Sequence, residues 1–185
     1  MLSSPASMLS FTGTAAHKGR ALCSKSPAYT VLTAKCDGYT KKFKIYVLNH
    51  RQMKSMRKAV KTYHDMENGK IHYSQSLRMK KGYADCSSLA WRIMKAGGCT
   101  FGSPNWAPDG GVEYRWCKKK GKMLPKKHSV NDIMPGDVVF WMQKQKGKTK
   151  VFHVEVALGY GISTGIGAGP WNAIGTGYPI GTPLR

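Results

Sequence analysis

Two residues of this chain have the chemistry to break an amide bond together, Cys86 and His153. Cys86 stands in "GYADCSSLAWRIMKAGG", Gly82 to Gly98, among small polar residues and just ahead of an apolar segment with helical spacing. The first N–H groups of a helix lack intrahelical partners and the helix dipole is positive there, so a thiolate at that point is stabilised and reactive. Asp85 and Ser87 flank the sulfur, and the first turn otherwise carries only small residues, which leaves room for a substrate. A thiol nucleophile also needs a base. His153 lies in "KVFHVEVALGY", whose strict alternation predicts a strand with Val154, Val156 and Leu158 on one face and His153 and Glu155 on the other. A lone cysteine at a helix start is a packing residue in most proteins, and a histidine on an apolar strand is more often structural than catalytic. The pair, cysteine on a helix and histidine on a later strand, is far more specific than either half.

The elements that must hold this pair are legible around it. Leu89, Trp91, Ile93 and Met94 predict a buried central helix from Cys86 to Ala96, ended by Gly97-Gly98. "MPGDVVFWM" reads as a turn entering a buried strand, the antiparallel partner of the histidine strand, with the lysine-rich "QKQKGKTK" as hairpin tip. Upstream, "AYTVLTAKC" and "KKFKIYVLN" read as two strands joined at "CDGYT". Residues 49–69 read as an amphipathic helix capped by Asn49 and stopped at Gly69, with Met53, Met56, Val60 and Tyr63 turned to the core. Residues 99–135 read as a long irregular excursion. The glycine-rich run from Gly159 onward reads as short strands and loops. The organisation expected is a strand-rich extension over 1–48 and an α+β domain over 49–185.

A chain of 185 residues with 41% hydrophobic residues builds one core, and no apolar run reaches the roughly 20 residues that span a bilayer. The N-terminal stretch has no basic segment followed by an apolar core, so no signal peptide is expected. The five cysteines form no CxxC pair and no zinc-type spacing. No metal and no cofactor is therefore expected, and Cys23–Cys36 and Cys99–Cys117 remain open as bridges formed after export. A net charge of +21 draws the chain to polyanions: anionic wall polymer, anionic lipid or nucleic acid. A basic nucleic-acid-binding protein is thus a second reading, carried by "EYRWCKKKGKMLPKK", though no zinc finger, RNA-recognition sheet motif or helix-turn-helix signature accompanies it.

"YADCSSLAWRIMKAGG", then "MPGDVVFW", then "HVEVALGYG" resembles the NlpC-type cell-wall endopeptidases, compact papain-like cysteine hydrolases that cut peptidoglycan stem peptides. The match runs over roughly residues 65–165. It implies an α+β papain-like fold, with Cys86 and His153 catalytic and no cofactor. It further implies Tyr73 on the wall of the substrate cleft, and Asp85 and Ser87 as binders of the free amine of the stem's L-alanine. It asks for a third polar residue about twelve positions beyond His153. Gly165 stands there, which leaves Thr164 and Asn172 as candidates. Where the family has glycine after His-Val, this chain has Glu155. The implied function is hydrolysis of a stem-peptide amide, by endopeptidase rather than amidase action. Bacterial peptidoglycan and anionic wall polymers are the expected partners, and nucleic acid is expected to bind only non-specifically. Such a protein, made in the cytoplasm and acting at the wall after release or delivery, suits a phage lysin, a tail hydrolase or an injected toxin. A papain-like module that binds wall without cutting it is the remaining alternative.

Overall fold

Asp85 decides where the central helix begins. Its backbone is extended, and its carboxylate accepts the N–H of Ser88 at 2.8 Å, while Ser88 Oγ accepts the N–H of Asp85 at 2.9 Å. This reciprocal capping box satisfies two otherwise orphaned donors, and losing such a cap costs about 1 kcal/mol. Helix α2 (Cys86–Ala96) therefore starts on Cys86, as the sequence predicts. Leu89 and Ile93 are fully buried on its inner face, worth about 1.5–3 kcal/mol each.

The computed structural model describes residues 2–3, 9–12, 20–23, 28–125, 132–159 and 162–167. The chain divides into two units, Met1–His50 and Arg51–Arg185. In the first, β1 (Leu2–Ser3) pairs antiparallel with β4 (Ala28–Cys36), which pairs antiparallel with β5 (Tyr39–Val47); β2 (Leu9–Thr12) and β3 (Arg20–Cys23) form a separate ribbon. The β4–β5 turn places Asp37 and Gly38 both at positive φ, the geometry that suits the twist of a tight hairpin. Tyr29 and Tyr46 face one another across this pair, and Lys44 Nζ lies 4.0 and 5.0 Å from their ring centres.

The second unit is a mixed α+β arrangement. It contains α1 (His50–Glu67), a parallel bridge of β6 (His72–Tyr73) with β7 (Tyr83–Ala84), α2, α3 (Gly110–Lys119), and a three-stranded antiparallel sheet in the order β10-β9-β8. The sheet strands are β8 (Val138–Gln145), β9 (Lys148–Gly159) and β10 (Ile162–Thr164). Chain entry into β8 is fixed by the predicted turn: Gly136 takes φ 89°, and the Asp137 carboxylate accepts the N–H of Met134 at 2.8 Å. The core packs Leu89, Ala90 and Ile93 with Val154 and Val156 of β9 and with Ala59 and Met66 of α1. No helix among the described residues is long and apolar enough to cross a membrane.

Two expectations are corrected. Residues 99–135 are not one irregular excursion, because α3 lies within them, capped by the Asp109 carboxylate on the N–H of Val112 at 2.9 Å. Glycines at its first two positions weakened the helical signal. Helix α1 also does not bury Met53, Met56, Val60 and Tyr63: it buries Ser55, Ala59, Thr62 and Met66, and Met53 and Val60 are exposed. Close approach is the reason. A Cβ on Gly97, at the end of α2, would lie on Ser55 Oγ and 2.6 Å from the carbonyl oxygen of Arg51, so only small side chains fit between the two helices. Gly97→Ala should destabilise the protein by about 1–3 kcal/mol through overpacking. An unchanged urea midpoint would rule out this tight helix crossing.

Candidate active site

Cys86, the first residue of α2, is a partly exposed free thiol at the positive end of the helix. Tyr73 is brought beside it by β6–β7 pairing, which sets Tyr73 against Ala84, two residues before the cysteine. Burial raises the Tyr73 phenol, and negative charge at Cys86 adds to the rise.

His153 reaches the same neighbourhood from β9, where negative charge at Cys86 acts to raise it. Its Nε2 lies 3.3 Å from Glu155 Oε1. The other oxygen of Glu155 accepts the indole N–H of Trp141 at 2.9 Å and the hydroxyl of Ser163 at 2.6 Å. This carboxylate is thus buried but fully served with donors. Burial alone would raise its pKa; the bonds from His153, Ser163 and Trp141 outweigh that and lower it. Burial likewise pulls His153 down, but its bonds to Cys86 and Glu155 and their negative charge carry it up to about 9. The arrangement can hold a protonated imidazole between a sulfur and a carboxylate.

Gly165 makes this geometry possible. A Cβ there would lie 2.8 Å from Glu155 Cγ and 3.2 Å from His153 Nε2. The position twelve residues past the histidine therefore lies beside the ring, and Glu155 fills the space a side chain there would need. Thr164 lies opposite Val156, on the alternate face of the strand from Glu155; it is buried and its hydroxyl has no partner. Asn172 lies outside the described residues.

Asp85 and Ser87 are both beside Cys86 and both engaged. Arg78 Nε lies 3.2 Å from Asp85 Oδ2, and Arg78 Nη2 donates to Ser87 Oγ at 3.0 Å and to the carbonyls of Ala107 and Pro108 at 3.2 and 2.8 Å. Arg92 of α2 holds the backbone below, donating to the carbonyls of Tyr83 and Lys80 at 2.7 and 3.3 Å. Glu113 of α3 completes the neighbourhood. Its side chain is fully buried and neither oxygen has a partner. Burial first, then the charges of Cys86, Asp85 and Asp109 against the opposing pull of Arg78, push it up to about 9, so it stands as a neutral acid. Among the described residues no group of three or more His, Cys, Asp or Glu is arranged to hold a metal ion.

Three residues of this neighbourhood escaped sequence reasoning in its search for site residues. Glu155 was on the predicted histidine face, but the third group was sought downstream. Glu113 lay in the segment read as irregular, and Arg78 gave no local signal. A family model described as bacteriophage peptidoglycan hydrolase matches residues 56–160, which include Tyr73, Arg78, Cys86, Glu113, His153 and Glu155 and stop short of Ser163, Thr164 and Gly165. No curated protein and no solved structure matches the chain.

Glu113→Gln tests the neutral acid directly. Because the folded value lies above the ordinary 4.5, the stability tied to Glu113 is fully present below pH ~4.5 and is lost as pH rises through about 9. The glutamine variant should therefore lose less melting temperature than wild type between pH 5 and 9; parallel losses would show that Glu113 is ionised throughout. Gly165→Ala should disturb the His153–Glu155 contact, and a variant whose histidine NMR titration matched wild type would contradict it.

Proposed function

The chain belongs to the bacteriophage peptidoglycan hydrolases, and from that premise we propose that it cuts a stem-peptide amide with Cys86 as nucleophile, His153 as acid–base and Glu155 as the residue that orients the ring. The observation carrying this reading is His153 set between Cys86 at the N-terminus of α2, whose negative charge raises it, and Glu155 Oε1, 3.3 Å from its Nε2. Helix-borne cysteine followed by strand-borne histidine on a mixed α+β frame supports a papain-like fold.

In this mechanism the Cys86 thiolate attacks the carbonyl carbon, and the oxyanion forms beside the free backbone N–H groups that open α2. The His153 imidazolium gives its proton to the departing amine, whose C–N bond breaks to leave a thioester on Cys86. Neutral His153 then takes a proton from water as the water attacks the thioester, and the acid product leaves with the thiolate restored. Glu155 holds Nε2–H in place throughout and stabilises the positive ring. Tyr73 lines the cleft. The bond we favour lies within the stem peptide, which makes the activity an endopeptidase. Peptidoglycan and anionic wall polymers are the partners, the latter drawn by exposed lysines such as Lys118, Lys119 and Lys146. Action at the wall after phage lysis or from the virion suits such an enzyme. The family match speaks against the nucleic-acid reading.

Digestion of purified peptidoglycan by wild type and by Cys86→Ala, with mass spectrometry of the fragments, tests the assignment. Stem fragments from wild type alone are expected, and their masses name the bond; equal release by Cys86→Ala would end the thiol mechanism. The acid form of His153 is depleted as pH passes about 9, so kcat should fall above that pH. Glu155→Gln should lower kcat on the order of 10²–10⁴-fold when assayed below the melting temperature of the variant, and full activity there would remove Glu155 from the mechanism.

A further inference from the structure

The polar side chains flanking the nucleophile are already gripped by a cation of the chain itself. Asp85 is 6% exposed and Ser87 3%. One oxygen of Asp85 takes the N–H of Ser88 at 2.8 Å and the hydroxyl of Ser87 at 3.3 Å, and the other faces Arg78 Nε at 3.2 Å. Ser87 Oγ in turn accepts from Arg78 Nη2. The guanidinium cannot move away without giving up the carbonyls of Ala107 and Pro108 as well. Glu113, the other acid in the neighbourhood, is neutral and has no exposed surface. An ammonium group of a substrate arriving on this side of Cys86 would thus meet a fixed positive charge, with Asp85 already paired. An uncharged acylated nitrogen would meet no such penalty. This reverses the expectation that Asp85 and Ser87 receive a free amine.

We propose that Arg78 is a specificity-determining residue which occupies the Asp85 carboxylate beside Cys86, so that the enzyme takes stem peptides whose amino-terminal nitrogen is acylated, as in a stem still joined to its glycan, and rejects free peptides that carry an ammonium. The proposal rests on the endopeptidase reading above and names the substrate class of that same site. Its physical content is an electrostatic exclusion, so it must weaken when the substrate loses its charge. An α-amino group titrates near pH 8, within reach of an assay.

The test uses the full chain and two soluble substrates of one stem sequence, a disaccharide-linked muropeptide and the peptide freed of sugar with its amine exposed. At pH 7 the muropeptide should be cut at least ten-fold faster in kcat/KM. The ratio should shrink toward one between pH 7 and 9, as the free amine loses its proton; loss of the His153 proton affects both substrates alike and cancels in the ratio. Arg78→Gln, which leaves Asp85 available to an ammonium, should lower the pH 7 ratio at least ten-fold, and the pH series on wild type decides the matter even if that variant does not fold. Equal cleavage of both substrates at pH 7, or a ratio that does not change with pH, overturns the proposal and leaves the hydrolase reading intact. Digestion of intact wall with both fragments left whole also overturns it, because the preference would then lie with the polymer. Cleavage only at the sugar–alanine amide, or of nothing at all, removes the endopeptidase reading and this proposal together.

Discussion

The N-cap of α2 is the contact on which the site depends. A helix has one residue that is first, and here the Asp85 carboxylate, bonded to the N–H of Ser88, makes that residue Cys86. Shift the cap by one position and the sulfur rotates by roughly 100° about the helix axis, away from His153. The same carboxylate faces Arg78, which ties the residues after the cysteine to the chain just before α3. Helix start, the position of Cys86 and the approach of α3 are therefore settled by one buried acid and one guanidinium. The apolar residues of α2 press the helix onto β9, and this brings His153 close enough to Cys86 to feel charge on the sulfur.

Two buried glutamates near one cysteine show how burial alone fails to predict charge. Glu155 receives bonds from a histidine, a serine and an indole, and keeps its negative charge. Glu113 receives none, and keeps its proton. Donor count, not depth, separates them. The result is a neighbourhood in which Arg78 faces Asp85, with the partly buried Arg92 acting on both, and His153 stands between Cys86 and Glu155.

Most of what positions the site was legible, and for physical reasons. The limits of α2, the two hairpins and the turn into β8 rest on local chemistry: a capping aspartate, glycines at positive φ, strict alternation along β9. What was not legible depends on contacts between elements distant in sequence. Which face of α1 turns inward follows from the room Gly97 leaves, and small residues therefore win over methionine and valine. Helix α3 was hidden by glycines that are needed where Gly110 passes 2.6 Å, measured to an added Cβ, from a methyl of Val154. Arg78 reaches residues 9 and 30 positions away, and no periodicity announces such a bond.

The crowding at Gly165 has a consequence for how this site can vary. A side chain at 165 and the carboxylate at 155 compete for one volume beside the imidazole. A side chain beside the imidazole can come from the histidine's own strand or from the segment after β10, but both cannot be present together. Passing from one arrangement to the other by single replacements leads through a chain with a collision or a chain with an unsupported ring. The two positions are therefore bound in sign epistasis: each replacement is harmful alone and tolerable only with its counterpart. Among descendants of this sequence, Glu155 and Gly165 should be inherited as a pair.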